Sequence, residues 1–139
     1  MNYLLDTNVV SEIRKVRAGK ADPNVVRWAD RVSSSSLYIS VITVEEIEIG
    51  TLIVERRDAV QGGVLRNWLE QHVLPTFASR TLSIDVAVAR RAAGLHVPNV
   101  RPVRDALIAA TALVHGMTVV TRNTADFAEM GVPLLNPWG

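Results

Sequence analysis

Apolar residues fall in short runs and helical stripes that alternate along the chain. Tyr3, Leu4 and Leu5 make a brief buried run, after which Val9, Val10 and Ile13 return at helical spacing. Pro23 stands at a first helical position with Asp22 as its cap, and Val25, Val26 and Ala29 follow on one face with Trp28 beside them. Residues 37–42, β-branched and aromatic, predict a second strand. From Thr43 the pattern is helical through Val44, Ile47, Leu52 and Ile53, with Gly50 as a close-packing point and Gly62-Gly63 as a break. Val64, Leu65, Trp68, Leu69, His72 and Val73 then form the stripe of a long helix that Pro75 bends or ends. Residues 81–84 predict a third short strand, and Asp85 caps a helix reaching about Leu95. The helix opened by Pro102 is apolar on all sides from Ala106 to Val114 and stops at His115-Gly116. Residues 117–121 and 132–135 predict the last strands, with a loop and short helix between them.

Strands alternating with helices imply right-handed crossovers, hence an α/β fold with a central, mainly parallel sheet flanked by helices on both faces. The length of 139 residues fits one domain over residues 1–139. No apolar run is long enough for a membrane span, and Asp6 interrupts any signal-like segment, so a soluble cytoplasmic protein without a membrane partner is expected. The absence of cysteine excludes disulfides, thiolate catalysis and cysteine-ligated zinc. A net charge of +1 exerts no general pull on nucleic acid, although almost all the positive charge is arginine.

The chemistry gathers on acids placed where strands end and helices begin. Asp6 follows the first strand, at the edge where open α/β sheets bind ligands; a helix cap explains it equally well. Glu46 lies one turn into its helix, but Thr43 and Glu46 also have the spacing of a capping box. Glu45 beside it looks toward solvent. Asp105 opens the helix expected to be buried, where the dipole favours an anion but the apolar face demands a partner. Asp126 follows the strand at 117–121, with Asn123 as a candidate cap. The topology brings such places to one edge, and like charges about 4 Å apart repel by roughly 4 kcal/mol at an effective dielectric of about 20. Such a cluster persists by binding cations or by raising a pKa. Oxygen ligands alone point to Mg²⁺ or Mn²⁺. A metal-independent ribonuclease usually needs a histidine pair, and His72, His96 and His115 all lie away from the acidic motifs.

Leu5-Asp6-Thr7-Asn8, Thr43-Val44-Glu45-Glu46-Ile47, the run from Arg104-Asp105-Ala106 to Ala112, and the run from Thr121-Arg122-Asn123 to Asp126-Phe127 resemble, in order and spacing, the PIN domain. The likeness is to the VapC and FitB toxins of bacterial toxin–antitoxin pairs, and it extends to Asn136-Pro137-Trp138. The resemblance implies a PIN-like fold and a Mg²⁺-dependent endoribonuclease that hydrolyses RNA with a metal-activated water. It carries over Asp6, Glu46, Asp105 and Asp126 as the catalytic, metal-holding quartet. Some members carry an acid at the position of Asn123, which here is an amide. Asp6 and Asp105, fixed by apolar elements, are expected to be the principal ligands, with Mn²⁺ as a substitute. Thr7, Asn8, Thr121 and Asn123 are placed to orient water or phosphate, and Arg104 and Arg122 to hold the backbone.

Two partners beyond RNA are expected. The stripe Val64, Leu65, Trp68 and Leu69, with Leu52 and Ile53, offers more apolar surface than a small sheet covers, which predicts a homodimer. A small antitoxin of the VapB type, implied by the resemblance, suits a carboxylate cluster if it inserts an arginine. Rival readings keep the metal but change the substrate to DNA or a small phosphoester, or make the chain a non-catalytic binding partner.

Overall fold

A computed structural model describes all residues 1–139. The elements run β1 (Tyr3–Leu5), α1 (Thr7–Arg14), a 3₁₀ turn (Lys15–Ala18), α2 (Pro23–Arg31), a second 3₁₀ turn (Ser34–Ser36), β2 (Leu37–Ser40) and α3 (Val41–Arg57). They continue with α4 (Ala59–Trp68), a π turn (Leu69–Val73), α5 (Leu74–Thr76), β3 (Thr81–Leu82), α6 (Val86–Leu95), α7 (Val103–His115), β4 (Thr118–Val120), α8 (Thr124–Phe127) and β5 (Leu134–Leu135). The strands form one sheet in the order β3-β2-β1-β4-β5, and every neighbouring pair is parallel. No helix is long and apolar enough to cross a membrane.

Alternation along β1 splits the core into two layers. Leu5 points to one face with Val120, Leu37 and Ile39, where Val9, Val10, Trp28, Ile47, Leu69, Val73 and Phe77 cover it. Leu4 points to the other with Val119, against Ile42, Ile108, Ala109, Ala112, Phe127 and Met130. Helices therefore flank both faces. Val88 and Ala92 seat α6 on Ala110, on the far side of α7. Gly116 ends α7 at φ 66°, a left-handed position that glycine adopts without steric penalty.

The structure corrects several boundaries. The second strand stops at Ser40, whose side chain caps α3 by accepting the Ile42 N–H at 3.0 Å. A serine able to satisfy an orphan N–H ends the strand two residues before its β-branched run does. Thr43 is therefore inside α3, not at its cap. Gly50 is not a packing point, for a Cβ there meets nothing within 4 Å. Gly62-Gly63 is no break either, since α4 runs through both, and the chain turns instead at Asp58, which accepts the Val60 and Gln61 N–H groups at 3.1 Å. The predicted long helix is interrupted by the π turn, which buries Leu69 and Val73 and leaves His72 exposed.

Close contact between α3 and α4 depends on Gly62. A Cβ there would stand 2.5 Å from Glu55 Cα, a backbone atom that cannot swing aside. Arg66 locks the same crossing, with Nη1 2.6 Å from Glu48 Oε2 and Nη2 2.9 Å from Glu55 Oε1. Gly62→Ala is expected to lower stability by about 1–3 kcal/mol through overpacking. Gly63→Ala, in open space on the same helix, should raise it by up to about 1 kcal/mol. Urea midpoints of the two variants, read against the parent, check both signs.

Candidate functional site

Parallel register brings the ends of β1 and β4 level. Leu5 pairs with Val120, and the Asp6 N–H donates to Val120 O at 2.9 Å. The Asp6 backbone is thus fixed by the sheet, and its side chain serves two purposes through different oxygens. Oδ1 accepts the Thr7 N–H at 2.8 Å as the cap of α1, while Oδ2 accepts the buried Thr121 hydroxyl at 2.8 Å. The cap reading of Asp6 is realised, and its carboxylate also stands at the carboxyl edge of the sheet. Burial pushes its pKa up; the bonds from Thr121 and Thr7 oppose the rise, and the charge of Asp126 adds to it.

Asn8 and Thr121 tie the two loops together. Asn8 Nδ2 lies 3.5 Å from Asp6 Oδ2 and 3.4 Å from Thr121 Oγ1, and Asn8 Oδ1 accepts the Arg122 N–H at 3.3 Å. Thr121 Oγ1 also accepts the Asn123 N–H at 3.0 Å.

Glu46 reaches the site from α3. Because Ser40 caps that helix, the capping box expected of Thr43 and Glu46 does not form. Instead Glu46 Oε1 accepts the Thr7 hydroxyl at 2.6 Å, and that hydroxyl lies 3.5 Å from Thr43 Oγ1. Arg104 Nη1 stands 3.8 Å from Glu46 Oε2. Glu45 is exposed.

Asp105 occupies the first turn of α7, half-buried beside the buried Ala106 and Ile108. Its pKa is pushed up to about 6, first by burial and then by the charges of Asp6, Asp126 and Glu46, with the Arg104 charge opposing. These influences show that the other three acids are electrostatic neighbours of Asp105. In the fourth motif it is Asp126, exposed on α8, whose charge reaches Asp6 and Asp105. Asn123 holds the cap position of α8 but makes no capping bond with its side chain.

Arg104 and Arg122 diverge. Arg104 faces the carboxylates, whereas the Arg122 guanidinium stacks over the Trp138 ring, 5.3 Å from its centroid. That use of Trp138 was not evident from sequence, although an aromatic residue just past a terminal strand is a signal of it. Glu12 carries no sequence signal of the part it plays. It is buried on α1, accepts the Asp22 N–H at 2.7 Å and the Lys15 ammonium at 3.1 Å, and is held below the usual carboxylate range chiefly by the first of these.

The donor set is oxygen-only, a composition that suits Mg²⁺ or Mn²⁺. Arg104 stands near Glu46 and opposes the shift at Asp105, so a further cation would relieve the remaining repulsion. No three of the acids are drawn into a closed cage; the fit is one of donor type and charge. His72 and His115 are exposed, and His96 Nδ1 accepts the Arg101 N–H at 3.0 Å, away from the acids. A concavity of about 430 Å³ is lined by Val10, Ile13, Arg14, Trp68, Val73 and Phe77 among others, and by none of the four acids.

Comparison with known proteins agrees with this fold. The chain is 40% identical to the plasmid stability protein StbB of Pseudomonas syringae pv. tomato, with 97% of each chain covered. It is 37% identical to the VapC ribonuclease Y4jK of Sinorhizobium fredii, over 97% of this chain and 96% of the relative. It is 38% identical to the toxin FitB of Neisseria gonorrhoeae over 97% of each. The crystal structure of FitAcB from that organism superposes with a TM-score of 0.85 at 37% identity, covering 98% of each chain. Residues 3–133 match the PIN domain, and the chain belongs to that family.

Proposed function

We propose that the protein is a divalent-metal-dependent endoribonuclease and the toxin of a toxin–antitoxin pair. The observation that carries this reading is the convergence on half-buried Asp105 of the charges of Asp6, Asp126 and Glu46, opposed there by Arg104, with Asp126 also acting on Asp6. RNA as substrate and a toxin's role are supported by relatives named as a VapC ribonuclease and as a toxin.

Asp6 and Asp105 are the principal holders of Mg²⁺, since one is fixed by the sheet and the other by the first turn of a buried helix. Glu46 and Asp126 complete the negative field. When bound, Mg²⁺, or Mn²⁺ in its place, activates water for hydrolysis and neutralises charge on the phosphate. The residues around it orient and restrain. Thr121 and the Thr7 N–H fix the Asp6 carboxylate, the Thr7 hydroxyl fixes Glu46, and Asn8 holds the β4–α8 loop against α1. Arg104 reaches across Glu46 to steady the phosphate backbone.

Partners follow from two surfaces. Leu52 and Ile53 on α3 are 53% and 55% exposed, and Val64 on α4 is 50% exposed. They form a face suited to pairing two copies, whereas Leu69, expected in that patch, is core. A dimer mass by light scattering at micromolar concentration is expected; a monomer would count against the pairing. A small antitoxin of the VapB type is proposed to inhibit by placing an arginine among the carboxylates, where its fork pairs bidentately. Its binding should compete with Mn²⁺ in a titration, and tight binding that leaves Mn²⁺ affinity unchanged would exclude that mode of inhibition.

Cleavage of single-stranded or looped RNA should vanish in EDTA and return with Mg²⁺ or Mn²⁺. It should leave 5′-phosphate and 3′-hydroxyl ends; persistence in EDTA, or 2′,3′-cyclic ends, would falsify the mechanism.

Asp6→Asn and Asp105→Asn should each lose activity by roughly two orders of magnitude or more, because loss of outer-shell support alone costs about 10–100-fold. Stability should move the other way at Asp105. Its pKa is raised from 3.8 to about 6, so its contribution to stability is full below the lower value and is lost as pH rises through the upper one. The shift corresponds to at most about 3 kcal/mol, which solvent screening of a half-exposed group reduces to about 1 kcal/mol. Asn imitates the neutral form. In EDTA at pH 7.5, Asp105→Asn should therefore unfold about 3 °C above the parent, a gap that closes near pH 4 in calorimetry.

A further inference from the structure

The carboxyl edge of the sheet continues past the acids. β4 lies beside β1 and β5 beside β4, all parallel, and the Thr121 N–H donates to Leu135 O at 3.0 Å. The turn formed by residues 136–139 therefore leaves the same edge as Asp6, two strand spacings or about 10 Å along it. Between that turn and α2 lies a groove of about 390 Å³, and the charged residues that line it are Arg27 and Arg31. Its walls mix polar and apolar groups, with Asn24 and Asn136 beside Trp28, Leu135 and Pro137.

The turn is built rather than loose. Asn24 Nδ2 donates to Trp138 O at 2.8 Å, and the Trp138 N–H donates to Asn136 Oδ1 at 2.9 Å. The indole packs partly buried against the core layer that contains Val9, Val10 and Trp28. Arg122 lies over it, and the Arg122 N–H is held by Asn8, which also touches Asp6. Trp138 thus links the arginine groove to the acidic edge. The cations that form ion pairs are Lys15, Arg66, Arg101 and Arg104. Arg27 bonds only the neutral Asn24 Oδ1. Glu12 senses the Arg122 charge, but its oxygens already serve Asp22 and Lys15.

We propose that this groove, together with Arg122 stacked on Trp138, whose chain neighbours Pro137 and Gly139 line it, binds the phosphate backbone of single-stranded RNA beside the scissile bond. The inference rests on the ribonuclease reading and adds a site to it. Arginine forks match phosphate oxygens, and such contacts position a strand without reading its bases. The Trp138 face is already taken by Arg122, so no base stacks there, and binding is indifferent to sequence. Trp138 is a positioning residue: it acts through Arg122.

The test is fluorescence anisotropy of a labelled single-stranded RNA in EDTA, where cleavage is silent, across a range of salt. Arg27→Ala/Arg31→Ala should bind more weakly and lower the salt slope by about 1.4, at roughly 0.7 per phosphate contact on a single strand. With Mg²⁺ its loss should fall on KM more than on kcat. Trp138→Ala should weaken binding as Arg122→Ala does, and Trp138→Phe should restore it, with circular dichroism confirming that each variant is folded. Unchanged affinity and slope in the double variant overturn the groove, including the case where that variant instead loses affinity for a polyglutamate peptide. A parent that binds in EDTA yet never cleaves removes the ribonuclease reading and leaves the groove standing; a parent that cleaves while the double variant binds normally removes the groove alone.

Discussion

Repulsion among Asp6, Glu46, Asp105 and Asp126 is the force against which the carboxyl edge of this sheet is built. Left on flexible loops, four such groups would separate into water. Here they come from the β1–α1 junction, α3, α7 and α8, and burial in two separate core layers holds each in position. The penalty is visible at Asp105, whose proton is held to about pH 6. Hydrophobic burial of Leu4, Leu5, Val119 and Val120, all fully buried, opposes that penalty at the strands nearest the charges. A carboxylate raised in this way by burial and like charges would be relieved by a cation.

Polar detail around the acids follows from the same need. Buried carboxylates must find donors, and those nearest here are hydroxyls and amides rather than cations. Thr7, Thr121 and Asn8 supply hydrogen bonds without supplying charge, so they fix orientation while leaving the negative field intact. A lysine in their place would neutralise it. Arg104 is the exception, and at 3.8 Å from Glu46 it makes a loose pair.

Much of this was legible in sequence. The short apolar runs, Pro23 and Pro102 at helix starts, Asp22 and Asp85 as caps and Gly116 as a stop all report local chemistry, and the structure places them as expected. The four acidic motifs stood out through their resemblance to the PIN domain, and the alternation of strands and helices led to the expectation of a shared edge. What could not be seen were contacts made across the chain. Glu46 looked half like a cap because Thr43 stands three residues before it, and only the competing cap at Ser40 frees it. Gly50 and Gly62 are alike in sequence; which one meets a neighbouring backbone depends on where the chain doubles back. Trp138 and Arg122 lie sixteen positions apart and meet because β5 returns beside β4.

The alternation in β1 has a bearing on how faithfully the molecule is made. Leu4 and Leu5 belong to different core layers, so a slip of one residue in pairing would turn both to the wrong side and carry Asp6 away from Thr121. Core and carboxylates therefore stand or fall on the same register. A chain paired incorrectly has no assembled cluster of acids, and competence at the edge is conferred only on molecules that have completed their packing. Folding itself acts as the proofreading step.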